Sequence, residues 1–125
     1  MMLMAIIDLP NIVRQRLSDI NKRNHSMRAE EIYFEGETGL WCLVTITADS
    51  GRTVEYDFIE SEESWKRTDV AVEYAQAAME QVKVLVIVPD QALADVLELV
   101  RDYGADGVSA TDYGAMELVP LPLAY

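Results

Sequence analysis

The sequence predicts an α/β (α+β) fold in which one mixed sheet packs with helices in two or three layers, in the element order α-β-β-β-α-β-α-β-β. Three observations predict it. Leu40–Ala48 and Thr53–Ile59 are rich in β-branched and apolar residues, and Asp49-Ser50-Gly51 between them is a strong turn signal. Val82–Val88 is aliphatic apart from Lys83, the pattern of a central strand buried on both faces in parallel sheet. Apolar residues recur at helical spacing before, between and after these runs.

The first helix opens at Asp8-Leu9-Pro10, with Asp8 as cap and Pro10 in the first turn, where a missing N–H costs little. Ile12, Val13, Leu17 and Ile20 form its inner stripe, and it fades at Asn21–Asn24 before a loop with His25. Met1–Leu9 is too short to span a bilayer and lacks a basic start, so it reads as a first strand or a core-docking terminus. Ile32-Tyr33-Phe34 is a short strand closed by Gly36 and Gly39. With Ala48 and Arg52 flanking the next turn, Cys42, Val44 and Ile46 lie opposite Phe58, Tyr56 and Val54 on the core face. The outer face then carries Trp41, Leu43 and Ile59 beside Thr45, Glu55 and Asp57, half-apolar and suited to cover by another element or a second subunit.

Ser61–Gln81 reads as a second helix with Thr68, Ala71, Val72, Ala75, Ala78, Met79 and Val82 inward and Trp65 as a packing anchor. After Val82–Val88, Pro89 ends the strand and Asp90 caps a helix with Leu93, Val96, Leu97 and Val100 buried and Gly104 as its stop. Gly107–Thr111 and Ala115–Val119 read as two short strands around Asp112-Tyr113-Gly114. The segment 82–111 is expected to be a right-handed β-α-β unit.

The length of 125 residues fits one domain, 1–125, with an N-terminal helical segment (1–24), an antiparallel meander (31–59) and an α-β-α-β-β portion (61–119). Half of the residues are hydrophobic and 26% charged, which is a globular and not a disordered composition. No run reaches membrane-spanning length, and a lone Cys42 excludes an internal disulfide and a cysteine-built zinc site, so a cytoplasmic location is expected. The net charge of −12 is uneven: residues 1–30 carry +2 and residues 31–125 carry −14. So acidic a body repels phosphate backbones, leaving only the basic N-terminal segment able to touch nucleic acid.

Carboxylates gather at one end of the meander. Glu60 falls near Glu37 and Glu35, and Glu62 starts the next helix, so Glu37, Glu60 and Glu62 are candidate ligands for a divalent cation through hard oxygen donors. The third strand and its exit read Glu55-Tyr56-Asp57-Phe58-Ile59-Glu60-Ser61-Glu62. Helix, three-strand meander, helix and buried strand together resemble, by element order, the core of the restriction-endonuclease-like (PD-(D/E)XK) nuclease superfamily. That resemblance implies Mg²⁺ held by carboxylates and a D/E-x-K motif on the third strand. Here no lysine or arginine stands two residues after any of these acids, and the nearest lysine is Lys66 on the following helix. The motif is therefore degenerate, and Asp57, Glu60 and Lys66 would be the catalytic set only if the nuclease activity survives.

Two functions follow as expectations. One is a non-catalytic binding or assembly module on a nuclease-like scaffold, pairing as a homodimer or with another protein partner, with no cofactor and no membrane contact. The alternative is a divergent Mg²⁺-dependent nuclease using Glu37, Asp57, Glu60 and Lys66. A weaker third option is a small-molecule sensor near Pro89 and Ser109. His25, alone in a loop, and Cys42, expected inside, carry no chemistry of their own.

Overall fold

A computed structural model describes residues 7–104 and 106–120. The expected first strand within Met1–Leu9 falls mostly outside them; Ile7 makes a single bridge. Helix α1 spans Leu9–Arg23, followed by strands β1 (Arg28–Gly36), β2 (Gly39–Thr47) and β3 (Thr53–Ile59). Helix α2 (Val70–Ala78), strand β4 (Lys83–Val88), helix α3 (Leu93–Tyr103) and strand β5 (Val108–Asp112) complete the described elements. They form a mixed α/β domain with one five-stranded sheet in the order β1-β2-β3-β4-β5. The pairs β1/β2 and β2/β3 are antiparallel, whereas β3/β4 and β4/β5 are parallel.

Two apolar clusters lie on opposite faces of the sheet, so the arrangement has three layers. Leu9, Ile12, Val13 and Ile20 of α1 pack on Cys42, Val44, Ile46, Ile59, Leu85 and Ile87. On the other face Val70 and Tyr74 of α2 and Val96 of α3 pack on Phe58, Val84, Val86 and Val88. β4 contributes to both clusters, as its unbroken aliphatic run demands. Local signals hold at several ends. The Asp8 side chain accepts from Asn11 N–H at the start of α1, and Gly104, at φ +77°, ends α3 in the left-handed conformation that favours glycine.

The register of β3 differs from the expected one. Thr47 pairs with Thr53, which is the pairing that the turn implies, but Ile46 pairs with Glu55 and the ladder continues as Val44–Asp57 and Cys42–Ile59. Val54 is the extra residue of a bulge between them. One extra residue moves every later side chain to the opposite face. Glu55, Asp57 and Ile59 therefore point towards α1, and Tyr56 and Phe58 towards α2. Asp57 and Ile59, expected outside, are fully buried, and the outer apolar pair on β2 is Trp41 and Leu43 without Ile59.

Other boundaries also move. Strand β1 is nine residues long instead of three. The segment expected to begin the second helix is a turn with a short 3-10 stretch, Ser64–Lys66, and α2 starts only at Val70. Its buried residues are Val70 and Tyr74, while Met79, expected inside, is 80% exposed. In α3, Val96 is buried and Leu97 is exposed. Ala115–Val119 forms turns, not a strand. Its N–H groups donate back to Asp112, Tyr113 and Gly114 and, from Val119, to Gln15 of α1, and Leu118 packs beneath α1.

This register makes a stability prediction. Ile59→Ala should cost about 2–5 kcal/mol, whereas Met79→Ala should stay within about 0.5 kcal/mol of the parent. Urea unfolding of the two variants checks both.

Candidate functional site

The residues expected to carry chemistry lie along β3 and just beyond it, and the structure commits most of them to partners. At the exit of β3, Glu60 is fully buried. Its Oε1 accepts from Ser64 Oγ at 2.7 Å and Arg67 Nη1 at 2.7 Å. Its Oε2 accepts from Arg67 Nη2 at 3.2 Å and Tyr74 OH at 2.7 Å. A carboxylate offers about four lone-pair positions, and here all are taken.

Arg67 is equally committed. Besides Glu60 it donates to Ser64 O at 2.8 Å and, through Nε and Nη2, to both oxygens of Glu73 at 3.0 Å each. That occupies all five N–H donors of the guanidinium, whose flat face lies 3.9 Å from the Trp41 ring centroid. Burial opposes the charge on Arg67, but hydrogen bonds with Glu73 and Glu60 outweigh it and raise its pKa above the ordinary arginine value. Burial first, and then the charge of Glu60, pushes the Tyr74 phenol well above its usual range. Tyr113 OH donates to the Glu60 carbonyl, and Glu60 N–H donates to Ile87 O at 2.9 Å.

A second cluster sits earlier on β3, under α1. Arg16 Nε donates to Asp57 Oδ2 at 2.7 Å, and Arg16 Nη2 to Glu55 Oε2 at 3.3 Å. Lys83 Nζ stands 3.7 Å from the other oxygen of Glu55. Asp57 Oδ1 is buried without a hydrogen-bond partner. Burial, then the neighbouring Glu55 carboxylate, pushes Asp57 up to about 8 against the opposing pull of Arg16.

The remaining expected site residues do not join these clusters. Glu37 is exposed in the turn between β1 and β2, Glu62 accepts from Ile7 N–H at 3.3 Å, and Lys66 is an exposed partner of Glu63 at 2.5 Å. Among the described residues no group of three or more His, Cys, Asp or Glu is placed to hold a metal ion. His25 is exposed. Cys42 is buried as expected, and burial pushes its thiol up to about 12. Trp65 donates to Glu62 O and packs at the edge of the α2–α3 cluster. Pro89 and Ser109 do not share a site. Ser109 pairs with Leu85 near the start of β4, and Pro89 follows its far end, where Asp90 and Asp112 accept from the N–H groups of Gly114 and Ala115.

Arg16 and Arg67, the organising residues of the two clusters, went unread in the sequence. Arg16 stands among the polar residues of a helix that looks solvated on that side, and Arg67 reaches its partners across a turn. The available signal was the surplus of acids in Glu55–Glu63, which a buried strand end cannot hold without cations.

A third feature is apolar. Ile32 is 55% exposed, and Tyr33 and Phe34 are 40% exposed, in the middle of edge strand β1. Phe34 stacks on Trp41 with ring centroids 5.5 Å apart, and on that face the α2–α3 cluster reaches β2 at Leu43 but includes no residue of β1. Comparisons with protein-family models, curated proteins and solved structures find no match to this chain.

Glu60→Gln should destabilise the fold by about 3–5 kcal/mol, since it leaves a buried guanidinium short of its counter-charge. Tyr74→Phe, which removes one bond to a charged group, should cost about 1.5–3 kcal/mol. Asp57 makes a pH prediction of definite sign. Its folded pKa lies above the unfolded value, so folding takes up a proton and stability falls as pH rises from about 4 to about 8. Asp57→Asn should therefore narrow the gap between the melting temperatures at pH 5 and pH 8. An unchanged gap would contradict the assignment.

Proposed function

We propose that the chain is a non-catalytic assembly module on a nuclease-like scaffold, working as a homodimer. The observation that carries this reading is the exposed apolar pair Ile32 and Phe34 at the centre of β1, next to the half-covered Trp41 and Leu43 on the same face, while Tyr33 is exposed on the opposite one. Solvent-exposed aromatic and aliphatic residues that adjoin one another mark a contact surface more than they mark a soluble face. The carboxylates support the same reading from the other side. Glu60 has no lone pair left for a cation, and the degenerate third-strand motif has Lys66 paired with Glu63 in solvent.

One observation favours the nuclease reading. Asp57 Oδ1 lacks a hydrogen-bond partner, which leaves one carboxylate oxygen without a ligand. It faces Arg16, however, and its burial favours the protonated acid, which is a poor Mg²⁺ ligand.

Sedimentation velocity from low to high micromolar concentration should show a reversible monomer–dimer equilibrium, shifted to monomer by Phe34→Glu. Titration calorimetry with Mg²⁺ or Mn²⁺ should give no binding heat, and single- and double-stranded DNA should stay uncut. A strict monomer with metal-dependent cleavage would replace this reading with the nuclease one.

A further inference from the structure

The assembly reading leaves open which surface pairs, and the two edges of the sheet differ sharply. β5 has only five residues and ends in the turns of residues 113–117, so it offers a short edge. β1 has nine residues, no proline and an unbroken register against β2 from Arg28 to Gly36. Such an edge presents a full row of backbone groups to a further strand. Its three glutamates and one arginine are set around the apolar centre, and their positions decide which pairings are allowed.

We propose that β1 pairs antiparallel with β1 of a second copy about a two-fold axis at Ile32, joining the two five-stranded sheets into one continuous sheet; this rests on the assembly reading above. The register follows from symmetry and charge. A two-fold axis normal to the sheet sets one residue opposite itself and pairs residues of the same face. Centred on Ile32, the pairs are Glu31 with Tyr33, Glu30 with Phe34, Ala29 with Glu35 and Arg28 with Gly36. All nine residues are used and no carboxylate opposes another. Centring on Glu31 sets that residue against its own copy, and centring on Tyr33 sets Glu31 against Glu35. Like charges directly opposite destabilise a ladder. The Ile32 register also brings two apolar patches, Ile32, Phe34, Trp41 and Leu43 of each copy, side by side on the face that α1 does not cover.

The charge balance adds a signature. Each copy is strongly acidic overall, so the paired edges repel at long range and salt should tighten the dimer several-fold.

The test uses the full chain with buried Cys42 retained. Under mild oxidation Ile32→Cys should form an intermolecular disulfide, because residues directly opposite in an antiparallel ladder meet bridging geometry. Arg28→Cys should not, since the two copies of residue 28 lie roughly 26 Å apart along the strands. A second pair of variants guards against oxidation artefacts. Ile32→Lys and Ile32→Glu should each weaken the homodimer, and mixing them should restore association. A dimer in which Ile32→Cys fails to cross-link, or in which the mixture associates no better than its components, overturns edge pairing while leaving assembly through another surface. A monomer at high micromolar concentration in high salt overturns both readings.

Discussion

Arg67 places five N–H donors among two carboxylates and a carbonyl while its flat face rests on Trp41, and the end of the sheet is organised around it. Glu60 follows directly from β3, so whatever holds Glu60 fixes where that strand ends. Ser64 ties it to the 3-10 turn, Tyr74 to α2, Tyr113 to the C-terminal turns and Ile87 to β4. A buried ion pair of this kind gives little net stability over a well-packed apolar substitute, but it leaves few alternative arrangements with every polar group satisfied. The short, late start of α2 follows from the same network. Continuing a helix back through Ser61–Thr68 would move Ser64 and Arg67 out of the geometry in which they meet Glu60.

The same commitment bears on function. A catalytic carboxylate must keep a lone pair free for metal, water or proton, and Glu60 keeps none. Asp57 is a contrasting case on the same strand. It keeps an oxygen unpartnered, yet burial and Glu55 favour its neutral form. Two acids three residues apart thus differ: each meets an arginine, but Glu60 has every lone pair taken whereas Asp57 keeps one buried oxygen without a partner. On β1, exposed apolar side chains and a long edge coincide.

What could be read in the sequence was local. Asp8 and Pro10 start α1, the run at Val84–Val88 makes the central strand, and Gly104 stops α3, because caps, aliphatic runs and stops act over a few residues. What could not be read was set at a distance. The turn at Asp49-Ser50-Gly51 was visible, and so was the pairing beside it, but the extra residue at Val54 reverses the faces of β3 and carries Asp57 and Ile59 inside. Helical spacing in 61–81 pointed to an inner stripe with Met79, whereas the structure turns α2 so that Tyr74 reaches Glu60 and Met79 faces solvent. The clustering of acids at the meander's end was legible. Their partners were not, because Arg67 and Tyr74 come from elements whose placement depends on the fold. The length of β1 was missed because its glutamates mask the alternation that identifies a strand.

The most direct measurement of the central claim is a double-mutant cycle between Glu60→Gln and Arg67→Met, followed by urea unfolding. If the two side chains form one closed network, the double variant should lose far less than the sum of the singles, with a coupling of about 0.5–3 kcal/mol. Additive losses would contradict the account, because they would mean that Glu60 is free of Arg67 and available for other chemistry.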